Sequence, residues 1–330
     1  MRYVSGLVTG FALCLITAAA AQAEMRVSSF EPPAGFYSAR IFAPWIEEVN
    51  AKLSPDAKMK LYPGAILGSP VAQADLVKKG VADIALVVPG YTPGVFPRTS
   101  VAELPFLYGS AAEATDDLLD LYEEGLIAED FKNYKLIGIF GTPTYGLITP
   151  KQGITTPEQI KGWRIRTPSA LYTAAVESAG ATGTSMPATE VYEALERGVV
   201  EATFWNFNAS TTFKLYEPAP HFVDLNLTVT PIVVLMNKAR YERLSPEDKA
   251  VIDEWAGRTF SAWVGKESDD YETSAREALL ARGAATFTTP TEAEMEAWRK
   301  AFAAVPEIWL ETTKGLEPDA GKALLARVGR

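Results

Sequence analysis

Strand-like and helix-like segments take turns along this chain, and that alternation leaves few folds open. Apolar and β-branched runs at residues 25–29, 59–62 and 84–88 are separated by amphipathic stretches at 37–53 and 71–79. A Pro-rich loop at 89–105, a helical stretch at 111–126 and a strand at 135–140 complete a first unit. Thr156-Pro157 opens a second, with the threonine capping a helix and the proline in its first turn. Strands at 163–166, 183–186 and 201–204 then interleave with helices at 169–179 and 189–197, and an apolar strand at 230–236 closes the unit. Strands that alternate with helices form a sheet whose faces the helices cover. The predicted class is therefore α/β, in two units.

A further stretch, 245–283, repeats Ile252, Trp255, Thr259, Trp263, Tyr271, Ala275 and Leu279 along one helical face. Continuous, it would be about 55 Å long, more than one small domain needs. It is expected to run across both units, with Gly257 and Gly265 as the places where it can bend or break.

Arg2 precedes an apolar run from Leu7 to Ala21 that ends in Ala21-Gln22-Ala23, the small-x-small pattern of a signal-peptidase site. Residues 1–23 read as a signal peptide cleaved after Ala23, because the run falls short of the ~20 apolar residues that span a bilayer. Cys14 is the only cysteine and lies in that leader. The exported chain would hold no disulfide, and its roughly 307 residues suffice for two domains, each with its own core. The expected division is 24–143 plus about 235–275 for the first and 144–234 plus about 276–330 for the second.

The chain carries 31 basic and 41 acidic residues, a net charge of −10 that becomes −11 once Arg2 is removed. That balance opposes binding to nucleic acid or anionic membranes. It also repels carboxylates at long range, so any anion site must be built from a few fixed donors. His221, the single histidine, sits beside Pro220 and reads as a loop residue. With no cysteine partner it excludes a His/Cys metal site and a serine triad built on another histidine. No phosphate-cradling glycine motif is present, so no nucleotide cofactor is expected. A divalent cation bridging ligand to protein stays open.

Arg166 ends a strand just before Thr167-Pro168, where the proline stops the sheet ladder and ligands tend to sit. Its planar guanidinium matches a carboxylate with paired donors, although the same residue would also serve a surface ion pair. Arg164 shares its face and could pair with a neighbouring acid. Phe204, Trp205 and Asn206, with Phe207 after them, offer an apolar wall beside one oriented amide, suited either to a small-molecule pocket or to core packing. Tyr145 and Tyr91, in loops flanked by Gly or Pro, could add hydroxyl donors.

Several blocks together resemble the solute-binding proteins of TRAP transporters, the DctP family. They include Tyr62-Pro63-Gly64, Gly80-Val81-Ala82-Asp83-Ile84, Glu103-Leu104-Pro105-Phe106, Gly162-Trp163-Arg164-Ile165-Arg166-Thr167-Pro168, Tyr192-Glu193-Ala194-Leu195-Glu196-Arg197-Gly198-Val199-Val200-Glu201 and Met236-Asn237-Lys238-Ala239. The resemblance spans about residues 25–303. It implies a type II-like periplasmic binding protein of two α/β domains, joined by crossing strands and a long helix spanning both, which closes on a small organic carboxylate. Such a protein delivers its ligand to membrane permease subunits and performs no catalysis; most members act as monomers, and a few dimerise through the long helix.

The resemblance also carries the carboxylate-gripping role to Arg166 and ligand contacts to Phe204, Trp205 and Asn206. This chain has Val200-Glu201-Ala202 where members often read Val-Asp-Gly, and Tyr145-Gly146 where sialic-acid binders carry a second arginine. A monocarboxylate with an apolar or aromatic body, or a 2-oxo or hydroxy acid, is therefore expected over a sialic acid or dicarboxylate. A secreted enzyme acting on an acidic small molecule, or a sensor subunit presenting ligand to a receptor, are the alternatives.

Overall fold

Two sheets organise the chain in the computed structural model, which describes residues 24–329; the expected leader at 1–23 lies outside the described residues. The first sheet runs β2 (Met59–Tyr62), β1 (Met25–Ser28), β3 (Ile84–Val87), β10 (Pro231–Asn237), β4 (Tyr134–Gly141). The second runs β11 (Thr286–Thr288), β9 (His221–Val223), β5 (Gly146–Thr149), β8 (Ala202–Trp205), β6 (Arg164–Thr167), β7 (Thr182–Ser185). Most neighbours pair in parallel, as strand–helix alternation requires. The exceptions are β10, antiparallel to β3 and β4, and β5, antiparallel to β8 and β9.

Those exceptions mark where the chain changes sheets. After β4 it crosses at 142–145 into β5, and after β9 it returns at 224–230 into β10. The two crossing segments bond to each other: Tyr145 N–H donates to Thr228 O (2.8 Å), Leu227 N–H to Tyr145 O (2.9 Å) and Thr142 N–H to Thr230 O (3.0 Å). A narrow ribbon of two extended segments thus joins the lobes. The apolar strand expected to close the second unit instead lies inside the first sheet. It is buried along nearly its whole length, so its composition reported burial without reporting which sheet buried it.

The expected long helix is two helices, Pro246–Trp255 and Arg258–Ala281. The break falls at Gly257, whose φ of 83° suits a residue without Cβ and whose N–H leaves the helix for Ile137 O at 2.8 Å. Gly265 does not break it. A Cβ there would lie 2.7 Å from Thr115 Oγ1, so this glycine lets the helix close on Ala111–Glu123.

The second helix, 24 residues and about 36 Å long, ties the lobes together through its side chains. Asp269 accepts from the N–H groups of Ala111 (2.8 Å) and Ala112 (2.9 Å), at the start of a first-lobe helix. Glu272, one turn on, accepts from Phe207 and Asn208 N–H, both at 2.7 Å, at the start of a second-lobe helix. Helix starts present unpaired N–H groups, so each carboxyl group satisfies two orphan donors, Glu272 even though burial pushes it up to about 8. Arg276 adds a bidentate pair with Asp224, at 2.7 and 2.8 Å.

Asp269→Ala is expected to cost about 1–2 kcal/mol of stability in urea unfolding, the usual loss when a helix start is uncapped. Asp270→Ala, which removes only an exposed ion pair with Lys266, is expected to stay within about 0.5 kcal/mol.

Candidate ligand-binding site

Arg166 is buried, with 1% of its surface exposed, although no acidic side chain among the described residues forms an ion pair with it. Strand β6 lies between β7 and β8, so residue 166 sits opposite Thr184 and Thr203, and Pro168 ends the ladder just beyond. Nε donates to Met186 O at 3.0 Å and Nη2 to the Tyr91 hydroxyl at 3.4 Å, while the guanidinium carbon stands 4.4 Å from the centre of the Trp205 ring. Nη1 is buried with no partner. A cation taken out of water without a counter-charge is strongly destabilising. Arg164 differs. It is exposed and grips Glu201 through Nη2 at 2.6 Å and Nε at 3.2 Å.

A cavity opens at this guanidinium, and both lobes line it. From the second come Arg166, Trp205 and Asn206; from the first, Glu31, Tyr37 and Tyr91; from the crossing ribbon, Thr142, Tyr145 and Thr230. Tyr91 reaches across from the turn after β3. Its oxygen accepts from Arg166 and from Ala188 N–H (3.0 Å), which leaves its own proton to donate. Asn206 caps the helix Phe207–Thr212, its Oδ1 accepting from Ala209 N–H at 2.8 Å. That bond fixes the amide and leaves its NH2 as the donor. Burial pushes the Tyr145 hydroxyl up to about 12, so it too remains a neutral donor near pH 7.

Phe204 does not belong to this group. Alternation along β8 turns it to the other face of the sheet, where it packs edge-on against Trp298 (6.3 Å) and Phe302 (6.4 Å) in the core. The structure thus gathers Arg166, Trp205, Asn206, Tyr145 and Tyr91 at one cavity and excludes the sixth residue of the set. His221, expected in a loop, begins β9 and bonds Thr286 Oγ1 through Nδ1 at 2.6 Å.

Sequence reasoning missed Glu31, which lines the cavity from the stretch just after β1. Its Oε2 accepts from Tyr37 N–H at 2.7 Å. Gly35 makes that possible, since a Cβ there would come within 2.7 Å of the same oxygen. Burial pushes the carboxyl up to about 7 against the pull of the Tyr37 and Ser38 N–H groups. Its place after a strand and before Pro32-Pro33 was the available signal. Glu103 is a second buried acid, pushed up to about 7 by its burial, and it accepts from the second lobe's Ser169 hydroxyl at 2.5 Å. Among the described residues no three His, Cys, Asp or Glu side chains converge to hold a metal ion.

Two α/β lobes, a hinge ribbon and a cavity shared between the lobes define a solute-binding protein. The sequence profile described as bacterial extracellular solute-binding protein, family 7 (DctP), matches residues 32–312, and the chain belongs to that family. Among solved structures it is similar to a marine metagenome TRAP solute-binding protein from an unidentified microbe, specific for aromatic acid ligands and bound to metahydroxyphenylacetate. The two are 31% identical, with a TM-score of 0.86 over 92% of this chain and 98% of that one. A TRAP periplasmic protein from Bordetella bronchiseptica, with bound (R)- and (S)-mandelate, is 26% identical with a TM-score of 0.82 over 93% and 99%. An uncharacterized protein of Haemophilus influenzae is 28% identical over 266 residues, 77% of this chain and 78% of its own length. The chain is accordingly a solute-binding protein of the TRAP type, and the solved relatives named here hold organic acids.

Glu31 and Glu103 hold a proton up to about 7 when folded, against an ordinary value of 4.5. Between those values the native state binds more protons than the unfolded chain, so stability falls as pH rises through that window, and Glu272, which burial pushes up to about 8, carries the decline further. Glu201, held low by Arg164, titrates below the window. Urea unfolding from pH 5 to 8 is expected to show this decline, and Glu103→Gln to flatten it by about 1–3 kcal/mol. An unchanged slope in the variant would contradict the assignment.

Proposed function

We propose that the cavity takes a monocarboxylic acid with a compact aromatic body, and that Arg166 grips its carboxylate. The observation that carries this reading is Nη1 of Arg166, buried and without a partner at the cavity wall. A carboxylate placed there completes the guanidinium's donors, and the tyrosine and asparagine donors supply further bonds. Trp205 stacks on the far side of the cation, while Phe30, Val88, Phe213 and Ile232 offer the ligand an apolar bed. The relatives that bind aromatic acids and mandelate support the same chemistry.

One cation suits one carboxylate. A second would meet Glu31 rather than a counter-charge, which disfavours dicarboxylates. Closure of the lobes excludes water and strengthens the ion pair beyond what an exposed one gives. Binding would shift the population from open to closed. In this reading the leader is removed after Ala23 and the mature chain acts in the periplasm as a monomer of two domains. It hands the ligand, chemically unchanged, to the membrane permease subunits.

Arg166→Ala is expected to weaken binding by about 2–5 kcal/mol in calorimetry, roughly thirtyfold to several thousandfold. Wild-type affinity in that variant would sink the site assignment. In a thermal-shift screen, aromatic monocarboxylates are expected to raise the melting temperature more than dicarboxylates do; the reverse order would overturn the ligand class. Mass spectrometry after incubation should return the acid intact, whereas a product would point to an enzyme.

A further inference from the structure

We infer that Glu31 is the specificity residue of the cavity and that it selects aromatic acids bearing a hydroxyl group remote from the carboxylate. This rests on the monocarboxylate reading of the same site.

Glu31 and Arg166 belong to different lobes and line one cavity. Their chemistry is opposed. Arg166 is a fixed cation that needs an anion, while Glu31 is an acid buried to 3% exposure with no basic side chain in ion-pair contact among the described residues. Its position is built rather than incidental. Tyr37 N–H holds Oε2, Gly35 leaves the space that oxygen occupies, and Gly64 N–H fixes the backbone by donating to Glu31 O at 2.6 Å. Two backbone N–H groups take up only part of a carboxyl's acceptor capacity, so capacity remains on a group that lines the cavity.

A buried acceptor left unmatched is costly, and a ligand that supplies the missing donor gains correspondingly. An O–H on the ring does this without bringing charge. An ammonium would also reach the carboxyl, but desolvating a cation costs far more than desolvating a neutral hydroxyl. A second carboxylate brings no donor of its own. The site therefore distinguishes ligands at two ends: Arg166 requires the acid, and Glu31 rewards the hydroxyl.

Calorimetry with phenylacetate, its 3-hydroxy and 4-hydroxy derivatives and the matching 3- and 4-aminomethyl derivatives tests this on wild type, Glu31→Ala and Glu31→Gln. The readout is the affinity ratio of hydroxylated to parent acid within each protein. Wild type is expected to favour one hydroxylated isomer by about tenfold or more, as for a hydrogen bond to a buried acidic group. In Glu31→Ala the ratio should collapse to within about twofold, the loss of that whole preference. Glu31→Gln, whose oxygen keeps the Tyr37 bond while its NH2 removes the acceptor, decides the matter if the alanine variant fails to fold, and its ratio should also drop severalfold.

The inference is overturned if neither isomer exceeds phenylacetate in wild type, if the preference survives both substitutions, or if an aminomethyl derivative outbinds the hydroxylated acids. Failure of every aromatic monocarboxylate to bind wild type would instead remove the ligand class proposed for the site, and this inference with it.

Discussion

A positive charge sealed from water without an opposite charge is the condition on which the rest of this molecule depends. Arg166 can be held at 1% exposure only because other groups share the burden: a backbone carbonyl at Nε, a tyrosine oxygen at Nη2 and the face of Trp205. These contacts orient the guanidinium without neutralising it. In the proposed reading the remaining deficit is the binding energy available to an anion. Because Tyr91 comes from the other lobe, the deficit is also set at the boundary between lobes.

Much of the site was legible because strand ends follow simple rules. A strand terminated by Pro168 places the preceding side chains at the sheet's edge, and that rule located Arg166; Arg164, two residues earlier on the same strand, found its acid in Glu201, as a surface arginine does. The same period-two rule, applied to β8, separates Trp205 from Phe204. Taking the aromatic run as one cluster overlooked it. Tyr91 and Tyr145 were approachable as loop residues, but only the fold shows that one crosses the cleft and the other sits in the hinge ribbon.

What stayed hidden depended on long-range pairing. An apolar strand advertises burial and nothing about its neighbours, which is why β10 looked like the end of the second unit although it pairs with β3 and β4. Gly257 and Gly265 are indistinguishable in a helical pattern. Their roles diverge because one meets the carbonyl of Ile137 and the other the side chain of Thr115. Glu31 was one acid among many. Its burial follows from Gly35 and Tyr37, residues whose approach to it no local pattern encodes.

The helix Arg258–Ala281 carries a consequence of its own. Its two carboxylate anchors are three positions apart, about 300° of rotation and a rise of about 4.5 Å, so each reaches a different lobe's helix from nearly the same side. That spacing makes the helix behave as a key with two teeth. Adding or deleting a single residue between them would swing one tooth about 100° away from its lock and release the helix from one of the two lobes.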